Sequence, residues 1–118
     1  MKDDQALLKH IRDCILRIEL YAKSGESAFY EETIIQDAVI RNIEIIGEAV
    51  NKIHNLAPDF IDQHPELPWA RMRGMRNVAI HEYFFVDLKI VWTTVKDDLP
   101  RLKQQIDDLL TEQRRGHE

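Results

Sequence analysis

Arg76, His81 and Tyr83 fall within eight residues, in the run Arg76-Asn77-Val78-Ala79-Ile80-His81-Glu82-Tyr83. An arginine guanidinium keeps its charge at physiological pH, so it can hold a phosphate but cannot move a proton. A histidine imidazole changes charge near neutrality and can. Together they are a minimal set for cutting a phosphodiester without a metal. Spacing limits how they could meet. Five residues at about 100° each put Arg76 and His81 about 140° apart on one ideal helix. They converge only if the helix ends between them, or if two chains each contribute a pair. The sequence predicts a helix that ends near Ile80, anchored by Val78, Ala79 and Ile80. His81, Glu82 and Tyr83 would then lie at or past a helix C-terminus, whose negative dipole end favours a protonated histidine.

The charge distribution singles out the same segment. The chain has 118 residues and a net charge of −5, which argues against a general nucleic-acid coat protein. Residues 67–81 nevertheless carry Arg71, Arg73 and Arg76 and no acid, whereas residues 1–54, 55–66 and 82–118 are each net negative. A local positive island in an acidic protein suits a focused anionic ligand better than a long duplex. A solvated basic turn is the plainer account of the same charges.

Four or five helices would position this segment. The first, roughly 3–23, has Leu8, Ile11, Ile15, Ile18 and Ala22 at helical spacing, with Leu7, Cys14 and Tyr21 beside them. Gly25 is free to take a left-handed cap after it. A long second helix, roughly 30–54, is apolar over much of its circumference. Ile34, Ile35, Ala38, Val39, Ile43, Ile46, Ala49, Val50 and Ile53 fall there, with Asn42 among them. Such a helix is central, or buries a second face in a dimer. Gly47 inside it costs about 1 kcal/mol against alanine, a cost that a close helix–helix approach would explain. Pro58, Pro65 and Pro68 mark a breaker region, in which Asp59 could cap a short turn, Phe60 to Gln63. A third helix follows over roughly 68–80. Asp87 reads as the N-cap of a last helix, roughly 88–113, with Leu88, Val91, Val95, Leu99, Leu102, Ile106 and Leu109 as its stripe. Pro100 should kink it. The expectation is one all-α domain, 1–118, an antiparallel bundle whose tail frays over 113–118.

The 44% apolar and 31% charged composition fits a soluble globular domain. No apolar run approaches the ~18 residues of a membrane span, and no signal-peptide core follows the charged N-terminus. A single cysteine, Cys14, forbids an intramolecular disulfide and fits a reducing, cytoplasmic setting. His10, His54, His64 and His117 show no metal-ligand spacing, so neither a metal nor a cofactor is expected.

The pattern Arg76-x-x-x-x-His81-x-Tyr83, with Asn77 after the arginine, resembles the motif of HEPN-superfamily ribonucleases, and more narrowly that of HepT-like toxins. Gln36-Asp37-Ala38-Val39-Ile40-Arg41, Ile46-Gly47-Glu48-Ala49, Pro68-Trp69, Gly74-Met75-Arg76-Asn77, Val86-Asp87 and Val91-Trp92 extend the resemblance over about residues 5–110. It implies a HEPN-like bundle that forms a homodimer with two motifs facing one cleft. It also implies a metal-independent endoribonuclease toxin of a type VII-like pair, whose partner is a minimal nucleotidyltransferase antitoxin. Arg76 would hold the scissile phosphate of the RNA. His81 would act as general base or acid for attack by the RNA 2′-hydroxyl. Asn77 would orient the site, and Tyr83 would be the tyrosine modified with AMP. Arg73 and Arg71, from the positive island, are expected as supporting RNA-binding residues beside them. A bulky anionic adenylyl group two residues from His81 would fill the positive cleft and repel RNA phosphates.

Plainer readings exist for each residue. Arg76 alone could pair with Glu44 or Glu48, His81 could cap a helix, and Tyr83-Phe84-Phe85 could be core aromatics. Glu44 and Glu48 share a helical face, as do Asp37 and Arg41, and such spacings usually mean local pairs or a solvated face. The joint pattern favours a functional site. The competing functional class is a non-catalytic helical module that docks onto a nucleotidyltransferase and presents its substrate.

Overall fold

The structure is a computed structural model that describes the backbone of residues 2–80 and 87–116 and the side chains of residues 4–75 and 87–112. Over that range the elements are α1 (Lys2–Tyr21), a 3-10 turn (Ala22–Ser24), α2 (Glu26–Glu31), α3 (Thr33–Leu56), α4 (Pro58–Gln63), α5 (Trp69–Ile80), α6 (Leu88–Thr93), a π-helical turn (Thr94–Asp98) and α7 (Leu99–Gly116). No strand occurs among the described residues. The described residues form the all-α bundle that the apolar spacing predicted.

The stripe of α1 is buried as expected. Leu8, Ile11, Cys14, Ile15 and Ile18 are completely covered. They meet Val39, Ile43, Ile46, Val50 and Ile53 of α3, Met72 and Met75 of α5, and Leu99, Leu102, Ile106 and Leu109 of α7 in one core. Each such aliphatic side chain gains about 1.5–3 kcal/mol on leaving water, before the cost of ordering it. The central helix is α3, which packs most extensively against α1 and α5. Helix α7 lies antiparallel to α1, because Arg12 pairs with Asp107 (2.8 Å) while Glu19, two turns later, pairs with Lys103 (3.3 Å).

Several boundaries differ from the sequence reading, each for a local reason. The first helix ends at Tyr21 and tightens into the 3-10 turn, which Gly25 closes by donating its N–H to the Ala22 carbonyl (3.0 Å). Gly25 has the positive φ expected of it, +96°, but an extended ψ of −180° in place of a left-handed helical one. The helix expected over 30–54 is two helices, broken at Glu32, which is extended (φ −107°, ψ 109°). Gln36 makes the break tolerable: its Nε2 donates to the carbonyls of Phe29 and Tyr30, both at 3.0 Å. These are carbonyls of the last turn of α2, which lack helical partners. Ile34, placed in the apolar face by the sequence, is 85% exposed at the start of α3.

The short turn in the breaker region is α4, and Pro58, not Asp59, opens it. Pro58 has no N–H to leave unsatisfied, and Asp59 sits in the first turn. Asp87 caps α6 as predicted, accepting from the N–H groups of Lys89 (2.9 Å) and Ile90 (3.4 Å). The expected kink at Pro100 is a change of winding just before it, over Thr94–Asp98. Pro100 has no N–H for the Lys96 carbonyl, so the ladder must be reset there. Helix α7 runs from Leu99 to Gly116.

Candidate functional site

Helix α5 carries the positive island, and its start is held firmly. The Trp69 indole Nε1 donates to the His64 carbonyl at 2.7 Å. The Trp69 ring packs edge-on to Phe60 of α4, with centroids 6.1 Å apart. His64 lies against the same Phe60 ring and pairs through Nδ1 with Glu66 at 3.1 Å, so this histidine shapes the turn. Helix α4 follows directly on α3, so α5 starts beside the C-terminal end of α3 and runs back along it. The Arg73–Asn51 contact, Nη2 to Oδ1 at 3.4 Å, fixes the register. One turn further along α5 is one turn back along α3, at Gly47. That glycine is buried in α3.

Trp69, Met72 and Met75 face the core, with exposures of 7% or less. At about 100° per residue, positions 73, 76, 77 and 80 fall within about 100° of one another, while Arg71 lies about 200° from Arg73. Arg71 and Arg73 accordingly take different partners. Arg71 Nη2 lies 2.8 Å from Asp98 Oδ2 in the π-helical turn. Arg73 reaches across to α3. Arg76 and Asn77 belong to the last described turn of α5, and their side chains lie outside the described residues. So do His81 and Tyr83 altogether, with Glu82, Phe84, Phe85 and Val86. The expected helix end after Ile80 and the convergence of Arg76 with His81 therefore fall outside the description.

On α3, Glu44 is paired with Arg41 (3.1 Å). The pair is spaced i, i+3, so the spacing of Asp37 with Arg41 is not the one used. Asn42, which the sequence placed in an apolar stripe, is buried at 6% exposure. Its Nδ2 donates to the Ala38 carbonyl (2.9 Å) and its Oδ1 takes no hydrogen bond among the described residues. Asn51 and Asp98 were not found from the sequence. Nothing in their local spacing marks them; they matter because α3 and the π-helical turn lie on opposite flanks of α5. Cys14 is buried in the core, and burial raises its thiol pKa, an effect that nearby Arg17 partly offsets. Among the described residues no group of three or more His, Cys, Asp or Glu side chains is placed to hold a metal ion, and no helix is long and apolar enough to cross a membrane.

Comparison with known proteins points the same way as the motif. The model of a family described as ribonuclease HepT-like matches residues 11–109. A candidate RNase of Caldanaerobacter subterraneus subsp. tengcongensis is 35% identical over 115 residues, covering 97% of this chain and 100% of its own. A protein of Thermococcus cleftensis that carries the name of a HepT ribonuclease is 41% identical over 104 residues, covering 85% of this chain and 92% of its own. A Methanocaldococcus jannaschii protein is named as a gamma-glutamylcyclotransferase together with a candidate RNase. It is 42% identical over 112 residues, covering 94% of this chain, and the chain spans about half its length (49%). No solved structure gives a significant match.

Proposed function

Because the chain belongs to the HepT-like ribonuclease family and is an RNA endonuclease of the HEPN type, we propose that it cuts RNA without a metal through Arg76 and His81. In this reading the Arg76 guanidinium holds the scissile phosphate and neutralises the charge that builds on its oxygens. The RNA 2′-hydroxyl attacks phosphorus. A proton leaves that hydroxyl, the bond from phosphorus to the 5′-oxygen breaks, and the departing oxygen takes a proton. The His81 imidazole serves one of these two transfers. Asn77 orients the pair. Two copies of the chain bring two such motifs to one cleft, which also meets the geometric requirement that one ideal helix cannot satisfy. The biological setting we infer is a toxin, held in check by a nucleotidyltransferase antitoxin that attaches AMP to Tyr83.

The observation that carries this reading is the Arg76-Asn77, His81, Tyr83 pattern in the chain's positive segment, inside the region matched by the family. Expression of the chain alone should slow growth, and Arg76→Ala or His81→Ala should relieve it while the fold is kept. Variants as toxic as the parent would overturn the assignment. RNA binding without cleavage would favour the non-catalytic docking module instead.

A further inference from the structure

The positive island is not one surface. Arg71 and Arg73 leave α5 on opposite flanks and are treated differently by their neighbours. Arg71 is matched by a carboxylate: Asp98, its side chain 20% exposed, sits 2.8 Å away. That pair ties α5 to the π-helical turn and cancels the charge. Arg73 is held by a neutral group, the Asn51 amide oxygen at 3.4 Å, and forms no ion pair among the described residues. Its side chain is exposed while Asn51 is half-buried. A guanidinium has five N–H donors in a planar fork, so one contact with Asn51 leaves most of them for a phosphate. Arg73 also lies one helical turn, about 5 Å, before position 76 and on the same side of α5.

We propose that Arg73, steadied by Asn51, binds a phosphate flanking the scissile one in single-stranded RNA, and that Arg71 is a structural tether outside the RNA path. The RNA strand would then follow the seam between α3 and α5, away from the groove that Arg71 lines with Asp98 and Arg101. Asn51 is a positioning residue here. This inference rests on the ribonuclease reading, and the experiment separates the two.

Binding and cleavage of a single-stranded RNA oligonucleotide are measured across a series of KCl concentrations for the wild type and for Arg73→Ala, Asn51→Ala, Asn51→Asp and Arg71→Ala. Losing one phosphate contact on a single strand should lower the slope of log K against log salt by about 0.7. Arg73→Ala should show that change and raise KM several-fold with little effect on kcat. Asn51→Ala should raise KM less. Asn51→Asp, which neutralises Arg73 without displacing it, should raise KM as Arg73→Ala does. Arg71→Ala should lower the melting temperature and leave KM and salt slope at wild-type values. The inference is overturned if Arg71→Ala moves KM and slope as much as Arg73→Ala, or if Arg73→Ala moves neither while the wild type cuts. A wild type that neither binds nor cuts the oligonucleotide overturns the ribonuclease reading as well.

Discussion

A phosphate-binding arginine has to present its fork and its charge together, so in the role proposed for Arg76 a lysine would not be a substitute. Lysine offers a mobile point charge where guanidinium offers paired, planar donors. Arg76→Lys is expected to lower kcat on RNA by roughly 100-fold, the scale of losing one aimed transition-state donor, with the melting temperature nearly unchanged. Retention of more than a third of the activity would contradict that role. Cys14 gives a prediction that needs no substrate. Its thiol is buried in the core and its pKa is raised, first by burial. The native protein should react slowly with a thiol reagent, and unfolding should release the reaction. The sign for stability follows from the same shift. The contribution is fully present below the unfolded thiol value, roughly 8.5, and is lost as pH rises towards the higher folded value. Denaturation midpoints should fall on the alkaline side, and a rise there would contradict the assignment.

Helices α3 and α5 pack together and set the frame for the candidate site, and Gly47 is buried in α3. Gly47→Leu should cost about 1–3 kcal/mol by overpacking the seam, measured as a shift in urea midpoint. A neutral result would mean the seam is looser than its burial implies. Gly25 tests the backbone alone. No atom lies within 4 Å of a Cβ placed there, but its φ of +96° is one that side chains rarely adopt. Gly25→Ala should therefore cost about 1–2 kcal/mol through strain. These elements also mark what could be read from the chain. The apolar stripes of α1 and α7, the Asp87 cap and the central helix were legible, because periodicity and capping are local properties. The break at Glu32 was not, because it depends on Gln36 reaching back to the carbonyls of Phe29 and Tyr30. Nor was the division between Arg71 and Arg73, because a charge count cannot tell which flank of α5 meets Asp98 and which meets Asn51. The roles of Arg76, His81 and Tyr83 were legible only as a motif and remain proposals.

At the scale of the whole molecule, the proposed shared cleft needs two chains, and the proposed toxin needs a means of silencing its site. Sedimentation should give the mass of a dimer, and a monomer at micromolar concentration would contradict the shared cleft. Co-expression with a nucleotidyltransferase partner should add the mass of one or more AMP units, a gain that Tyr83→Phe abolishes. If the gain persists in Tyr83→Phe, the off-switch lies elsewhere. The central claim is RNA cleavage by Arg76 and His81 without a metal. It is tested most directly by incubating the purified chain with single-stranded RNA in excess chelator, beside Arg76→Ala and His81→Ala proteins of unchanged melting temperature. The account predicts cleavage by the wild type at its chelator-free rate and loss of cleavage in both variants. Cleavage abolished by the chelator, or retained in either variant, would contradict it.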